Sequence, residues 1–289
     1  MTNWKSAREA ARRTVAWPSD ATIAMSIGVA LEAFDNQSHV ALQAQKGTRD
    51  AFSLSYGEYG VRTGVWRLLD LFDEYGVHAS FSISGKIAAD WPQVVAAIAD
   101  AGHDVVGHGW VNDRFMNEAG EEGERRTVAD TLDAIQAASG VRPTGWASPA
   151  NSSTDKTPDI MLDAGITWLG DDASDDVPFL QDVGDRVIAV LPKANMAAND
   201  FVHWIMPNNG TEVFFQGFRD QFDTCYAEGL AGFPSWTDIV LHCHMAGRPS
   251  FIPTLRRTLE HAKAHENVWW CTKQSMADWV LSNPEGFQR

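Results

Sequence analysis

The chain has 289 residues, 44% of them apolar, enough to bury a full core in one large α/β domain or two smaller ones. A formal net charge of −15 argues against nucleic acid and anionic membranes as partners, and no apolar run reaches the ~18 residues of a membrane span. Cys225, Cys243 and Cys271 lie far apart and form no CxxC pair, which points to reduced thiols and a cytoplasmic location.

Residues 1–19 carry Lys5, Arg8, Arg12 and Arg13 but no apolar stretch of a secretion signal, so they read as an amphipathic arm or helix packed on the body or on a neighbouring subunit. From residue 20 to 283 the pattern alternates strand and helix, leaving residues 284–289 as a tail. Strands are predicted at 23–29, 78–83, 104–106, 144–147, 166–169, 186–191, 238–241 and 268–271. Helices are predicted at 64–75, 92–101, 121–139, 158–164, 211–228, 253–265 and 273–281. Gly76, Gly102, Gly140 and Gly165 stand where four of these helices must stop.

Such alternation implies a parallel sheet, and the length favours a closed or nearly closed barrel in a single domain. Segments 32–60, 173–184 and 193–210 show no periodicity and read as long functional or intersubunit loops. Twelve tryptophans are read as core and subunit packing. No Walker A, GxGxxG or HExxH motif is present, and Ser148 lacks the GxSxG elbow of serine hydrolases.

In a βα barrel the active site lies on the loops after the strands. Those positions hold Glu32, His108, Ser148 with Asn151, Asp171 with Asp172, Asn199 with Asp200, and His242 with His244. His108 sits between Gly107 and Gly109 at the end of an apolar strand, where an imidazole can face a cavity with the backbone close by. Glu32 ends another apolar strand and reads as a general base whose pKa burial beside tryptophan would raise. His242 and His244 alternate on a strand and so share a face, with Cys243 opposite. Trp110 is expected to wall the pocket for a flat ligand, Glu58 and Arg62 to pair, and Arg248 to orient a carbonyl or carboxylate. His39, His78, His203, His261 and His265 have no comparable context and are read as surface or core residues.

Several motifs in order then resemble the polysaccharide deacetylase (NodB homology) superfamily, and within it the allantoinase-like branch that includes cyclic-imide hydrolases. They are Gly57-Glu58-Tyr59-Gly60 with Arg62, Gly102-His103-Asp104, Gly107-His108-Gly109-Trp110, Gly145-Trp146-Ala147-Ser148-Pro149, Asp175-Asp176-Val177-Pro178, and Leu241-His242-Cys243-His244 with Gly247-Arg248-Pro249. The resemblance implies a distorted (β/α) barrel of about seven parallel strands. It also implies a site in which one carboxylate and two histidines spaced H-x-x-x-H hold a metal, a second carboxylate acts as base and a late histidine as acid. This chain departs from that pattern. Ala30 and Glu32 fall on the two expected aspartates, and Asn112 replaces the second histidine of the spacing begun by His108. Two protein ligands make a poor zinc site.

The expected function is therefore hydrolysis of a non-peptide carbon–nitrogen bond in a small cyclic amide, imide or ureide, with no cofactor required. Glu32, His108 and His242 are the expected catalytic residues; Trp110, Asn112, Ser148, Asp171, His244 and Arg248 contact substrate. The alternatives are a metal-dependent N-deacetylase with zinc on Glu32, His108 and Asn112, and an inactive ligand-binding relative. A homo-oligomer, with a tetramer favoured, is expected in all cases.

Overall fold

The computed structural model describes residues 15–41, 48–193, 196–205 and 209–288. Most of the predicted N-terminal arm, residues 1–14, lies outside them, but Val15 and Trp17 are buried against the body. The Trp17 indole N–H donates to the Ser235 carbonyl at 3.1 Å.

The strands are β1 (Ile23–Leu31), β2 (Ser80–Ile83), β3 (Asp104–Gly107), β4 (Gly145–Trp146), β5 (Trp168–Leu169), β6 (Phe179–Val183), β7 (Arg186–Val190), β8 (Ser235–His242) and β9 (Val268–Trp270). Their order across the sheet is β6-β7-β5-β4-β3-β2-β1-β8, and β9 pairs with the first residues of β1. Every pairing is parallel except the β6–β7 hairpin. Every residue of β1 is buried, as a central parallel strand covered on both faces must be.

The seven-strand expectation is met by β7-β5-β4-β3-β2-β1-β8, but the sheet curls into a half-barrel and does not close by a strand ladder. Among the described residues the gap is crossed by a lone parallel bridge, Asn199 to Val240, and by the Trp236 N–H on the Asp176 carbonyl at 3.1 Å. β6 lies within the segment read as irregular. Its residues alternate too weakly in polarity to mark a strand, and only the hairpin with β7 fixes it.

The helices are α1 (Ala51–Tyr59), α2 (Val65–Tyr75), α3 (Gly85–Asp90), α4 (Pro92–Asp100), α5 (Met116–Ser139), α6 (Thr157–Asp163), α7 (Thr211–Leu230), α8 (Cys243–Ala246), α9 (Ile252–Lys263) and α10 (Lys273–Ser282). α1, α3 and α8 were not anticipated. α1 runs into α2 through a wide turn, Gly60–Gly64. The four predicted stop glycines all have positive φ. The tryptophans largely pack inside: Trp146, Trp168 and Trp236 are fully buried.

Beneath the catalytic end lies a buried ion pair. Lys273 Nζ from α10 meets Asp238 Oδ2 from β8 at 2.8 Å, and Ser26 Oγ from β1 donates to Asp238 Oδ1 at 2.8 Å. Asp238 is completely shielded from solvent. Removing the lysine leaves that carboxylate buried without its cation, a large penalty in a low-dielectric interior. Lys273→Ala is expected to lower unfolding free energy by about 3–5 kcal/mol in urea titration at neutral pH. A loss below about 1 kcal/mol would show the pair to be energetically neutral.

Candidate active site

The buried carboxylate of Glu32, one residue beyond β1, is the centre of the site. His39 Nε2 lies 3.1 Å from Glu32 Oε2, His108 Nε2 3.4 Å from Oε1, and His244 Nδ1 3.9 Å from Oε2. His242 completes the ring, its centroid 5.9 Å from those of both His39 and His244. Phe34 and Phe201 pack edgewise or tilted against these rings and fix their planes.

Each imidazole is oriented from outside. His108 turns Nδ1 to the Ala147 carbonyl at 2.5 Å, which directs Nε2 at Glu32. Asp200 holds His242 twice, accepting from its Nδ1 at 2.7 Å and from its backbone N–H at 2.8 Å. Asp200 is fully buried, so this pair acts with little screening.

The placement of His108 depends on its neighbour. Gly109 has φ of 71°, and a Cβ there would stand 2.5 Å from Pro149 Cγ. Only glycine fits this bend of the chain into the site. Across the site, a Cβ on Gly64 would fall 2.0 Å from the Cys243 carbonyl oxygen. That close approach seats the α1–α2 helix against α8 and so against His244.

The electrostatics follow from this crowding. Burial pushes the Glu32 carboxyl up, but the charges of His39 and His242 and the hydrogen bonds from His108 and His39 outweigh it and hold it well below the usual range. The expected raised pKa is therefore corrected: the neighbours are imidazoles and not a tryptophan wall. Burial pulls His242 down, yet the carboxylates of Asp200 and Glu32 raise it to about 9. His244 is pulled by burial to about 3 and is neutral.

The other predicted residues divide. Asn112 is buried beside the cluster, its backbone N–H on the Ala33 carbonyl at 2.7 Å. Its side-chain oxygen is taken by the Ser84 hydroxyl, and its Nδ2 has no protein acceptor. Ser148 donates its backbone N–H to Asp171 Oδ1 at 2.7 Å, leaving Asp171 Oδ2 buried without a partner. Two further aspartates serve turns: Asp172 accepts from the Ser174 N–H and Asp175 from the Val177 N–H. Arg248 is clasped between Tyr56 and Tyr59, with its guanidinium carbon 3.7 Å and 4.2 Å from their ring centres.

Trp110 is not where its sequence position suggested. Its ring lies over Gly85 of α3 and lines a groove with Thr127 and Asp130 of α5. The tryptophan on the cleft beside Glu32, a space of about 370 Å³, is Trp91. Arg62, paired with Glu58 at 3.1 Å, stacks on Trp91. His244 belongs to α8 and not to the strand as expected, though it still faces Glu32.

His39 was missed as a member of the site, and Asp200 was named at a strand end without its role on His242. His39 sits in a segment without periodicity, where no pattern marks a face. Asp200 was recognised only as a polar residue beyond a strand end.

A family metal would need donors at Glu32, His108 and Asn112. Asn112 does not fit, because its only good ligand atom is engaged by Ser84. Another set is gathered instead: ligand atoms of Glu32, His39 and His242 all lie within 4.8 Å of one another.

Residues 45–169 match the polysaccharide deacetylase family model. A putative polysaccharide deacetylase of Schizosaccharomyces pombe is 28% identical over 93% of each chain. The solved Puue allantoinase is 29% identical with a TM-score of 0.82, covering 93% of both chains. A probable polysaccharide deacetylase from Pseudomonas aeruginosa PAO1 is 28% identical with a TM-score of 0.83, covering 93% of this chain and 94% of that one.

Asp200→Asn is expected to lower the His242 pKa by about 1–3 pH units, read by NMR titration of the imidazole. His242 stabilises the fold fully below its ordinary 6.5, and that contribution is lost as pH rises through about 9. An unchanged titration would sink the assigned clamp.

Proposed function

We propose that this chain, which belongs to the polysaccharide deacetylase (NodB homology) superfamily, hydrolyses a carbon–nitrogen bond in a small cyclic amide, imide or ureide. The observation that carries the reading is geometric: the ligand atoms of Glu32 and His242 lie within 4.8 Å of each other and Asp200 clamps His242 at 2.7 Å, surroundings that favour a carboxylate beside an imidazolium. At neutral pH the base is unprotonated and the acid protonated, as acid–base hydrolysis requires.

Glu32, with His108 beside it, takes a proton from water as the water oxygen bonds to the ring carbonyl carbon. The carbonyl oxygen gains negative charge and needs donors. The unspent Nδ2 hydrogens of Asn112 supply one, together with a backbone N–H near Gly109. The C–N bond then breaks as His242 gives its proton to the departing nitrogen, and the ring opens to a carboxylic acid and an amine, amide or urea N–H. The acid loses its proton to solvent, and the proton on Glu32 returns to His242, restoring both groups.

The choice of a ring over a sugar is supported by the likeness to a solved allantoinase over 93% of both chains. The allantoinase relative acts on the same bond class by name.

A second reading is metal-dependent N-deacetylation, favoured by the gathering of Glu32, His39 and His242. Those residues would hold a divalent ion, which when bound would lower the pKa of its water. No second carboxylate is present at Ala30 to serve as a separate base, which weighs against it.

The test is a hydrolysis screen of allantoin, hydantoins, dihydropyrimidines, succinimide and phthalimide beside N-acetyl sugars, before and after chelation. Cyclic substrates turned over by chelated protein are expected; activity on the sugars alone would overturn the reading. Glu32→Gln is expected to cut kcat by about 10²–10⁴ with an unchanged near-ultraviolet dichroism spectrum. The kcat/KM profile is expected to stay flat through neutrality and fall above about 9, as His242 loses its proton. A fall already complete by neutral pH would remove His242 as the acid.

A further inference from the structure

Away from the site, helices α7 and α9 run side by side in the same direction. They are joined near their starts by Thr254 Oγ1 on Thr211 Oγ1 at 2.9 Å and by the Arg257–Glu212 ion pair at 2.5 Å. Towards their ends, Asp223 of α7 meets His261 of α9 and His265 just beyond it. The ligand atoms of these three side chains all lie within 4.8 Å of one another. We infer that Asp223, His261 and His265 form a surface site for a borderline-soft divalent metal ion of the zinc class.

The two histidines are four residues apart, and the chain just beyond α9 keeps the His265 ring 5.1 Å from that of His261. His265 donates its Nδ1 hydrogen to the His261 carbonyl at 2.9 Å. That fixes the ring and turns Nε2 towards Asp223 Oδ1, 4.0 Å away. His261 Nε2 lies 2.6 Å from the same oxygen.

The two gaps, 2.6 and 4.0 Å, bracket the ~3.3 Å between ligand atoms of a tetrahedral ion with bonds near 2.0–2.1 Å. Binding needs a small closing motion and displacement of the proton between His261 and Asp223. The rings are already held: Phe222 packs 5.8 Å from His261 and 5.0 Å from His265, and Tyr226 4.8 Å from His265. All three ligands are partly exposed, with side chains 47%, 23% and 26% accessible, so an ion can enter from solvent. Two imidazoles and one carboxylate suit zinc, nickel or copper and not magnesium or calcium.

The experiment uses untagged full-length protein, stripped by chelator, titrated with zinc chloride by calorimetry and followed by thermal unfolding. Glu32→Gln, His265→Ala and Asp223→Asn are run in parallel. The expected result is zinc binding retained by Glu32→Gln and weakened at least tenfold in both surface variants. At zinc about 100-fold above Kd the wild-type Tm should rise by about 5 °C. Should His265→Ala fold poorly, Asp223→Asn reads the same ligand. The proposal is overturned if wild type binds no zinc, if Glu32→Gln abolishes all binding, or if neither surface variant weakens it.

Discussion

One buried carboxylate organises this molecule. Glu32 ends a strand with no exposed residue, at a place where an unpaired charge would cost several kcal/mol. The fold meets that cost by directing imidazoles at Glu32 from three other parts of the chain, the loop with His39, the end of β3 with His108 and α8 with His244. What keeps the carboxylate ionised also gives the site its chemistry. Glu32 and His242 shift each other: the imidazole helps to lower the carboxyl, and the carboxylate, with Asp200, raises the imidazole.

That arrangement needs a rigid frame. The β1–β8 pairing runs from Ile23 to Ala30 on one side and from Ser235 to His242 on the other, so Glu32 and His242 leave the sheet together. Beneath them the Asp238–Lys273 pair ties β8 to α10, and Trp236 donates its indole N–H to Ser26 of β1 at 3.1 Å. Asp200 reaches His242 from the segment whose Asn199 bridges to Val240 of β8. The open seam of the half-barrel is thus where His242 is positioned.

Much of this could be read from residue order alone. The seven parallel strands, the stop glycines and the residues at strand ends follow from local rules: period, turn chemistry, and the polar residue that ends an apolar run. Glu32, His108 and His242 were found that way. β6 escaped because a hairpin partner and not its own polarity makes it a strand. Trp110 misled because a sequence neighbour of His108 need not share its direction; past Gly109 the chain turns and sends the indole to the helix layer.

The sequence by itself determined the fold class and which strand ends carry chemistry, since burial forces apolar strands and leaves function to the residues that end them. Only the tertiary structure decided the protonation states and the full membership of the site. His39 and Asp200 act on residues 7 and 42 positions away, through contacts that no local period records. A pKa is set by the sum of burial and every nearby charge, and that sum exists only once the chain has closed around Glu32.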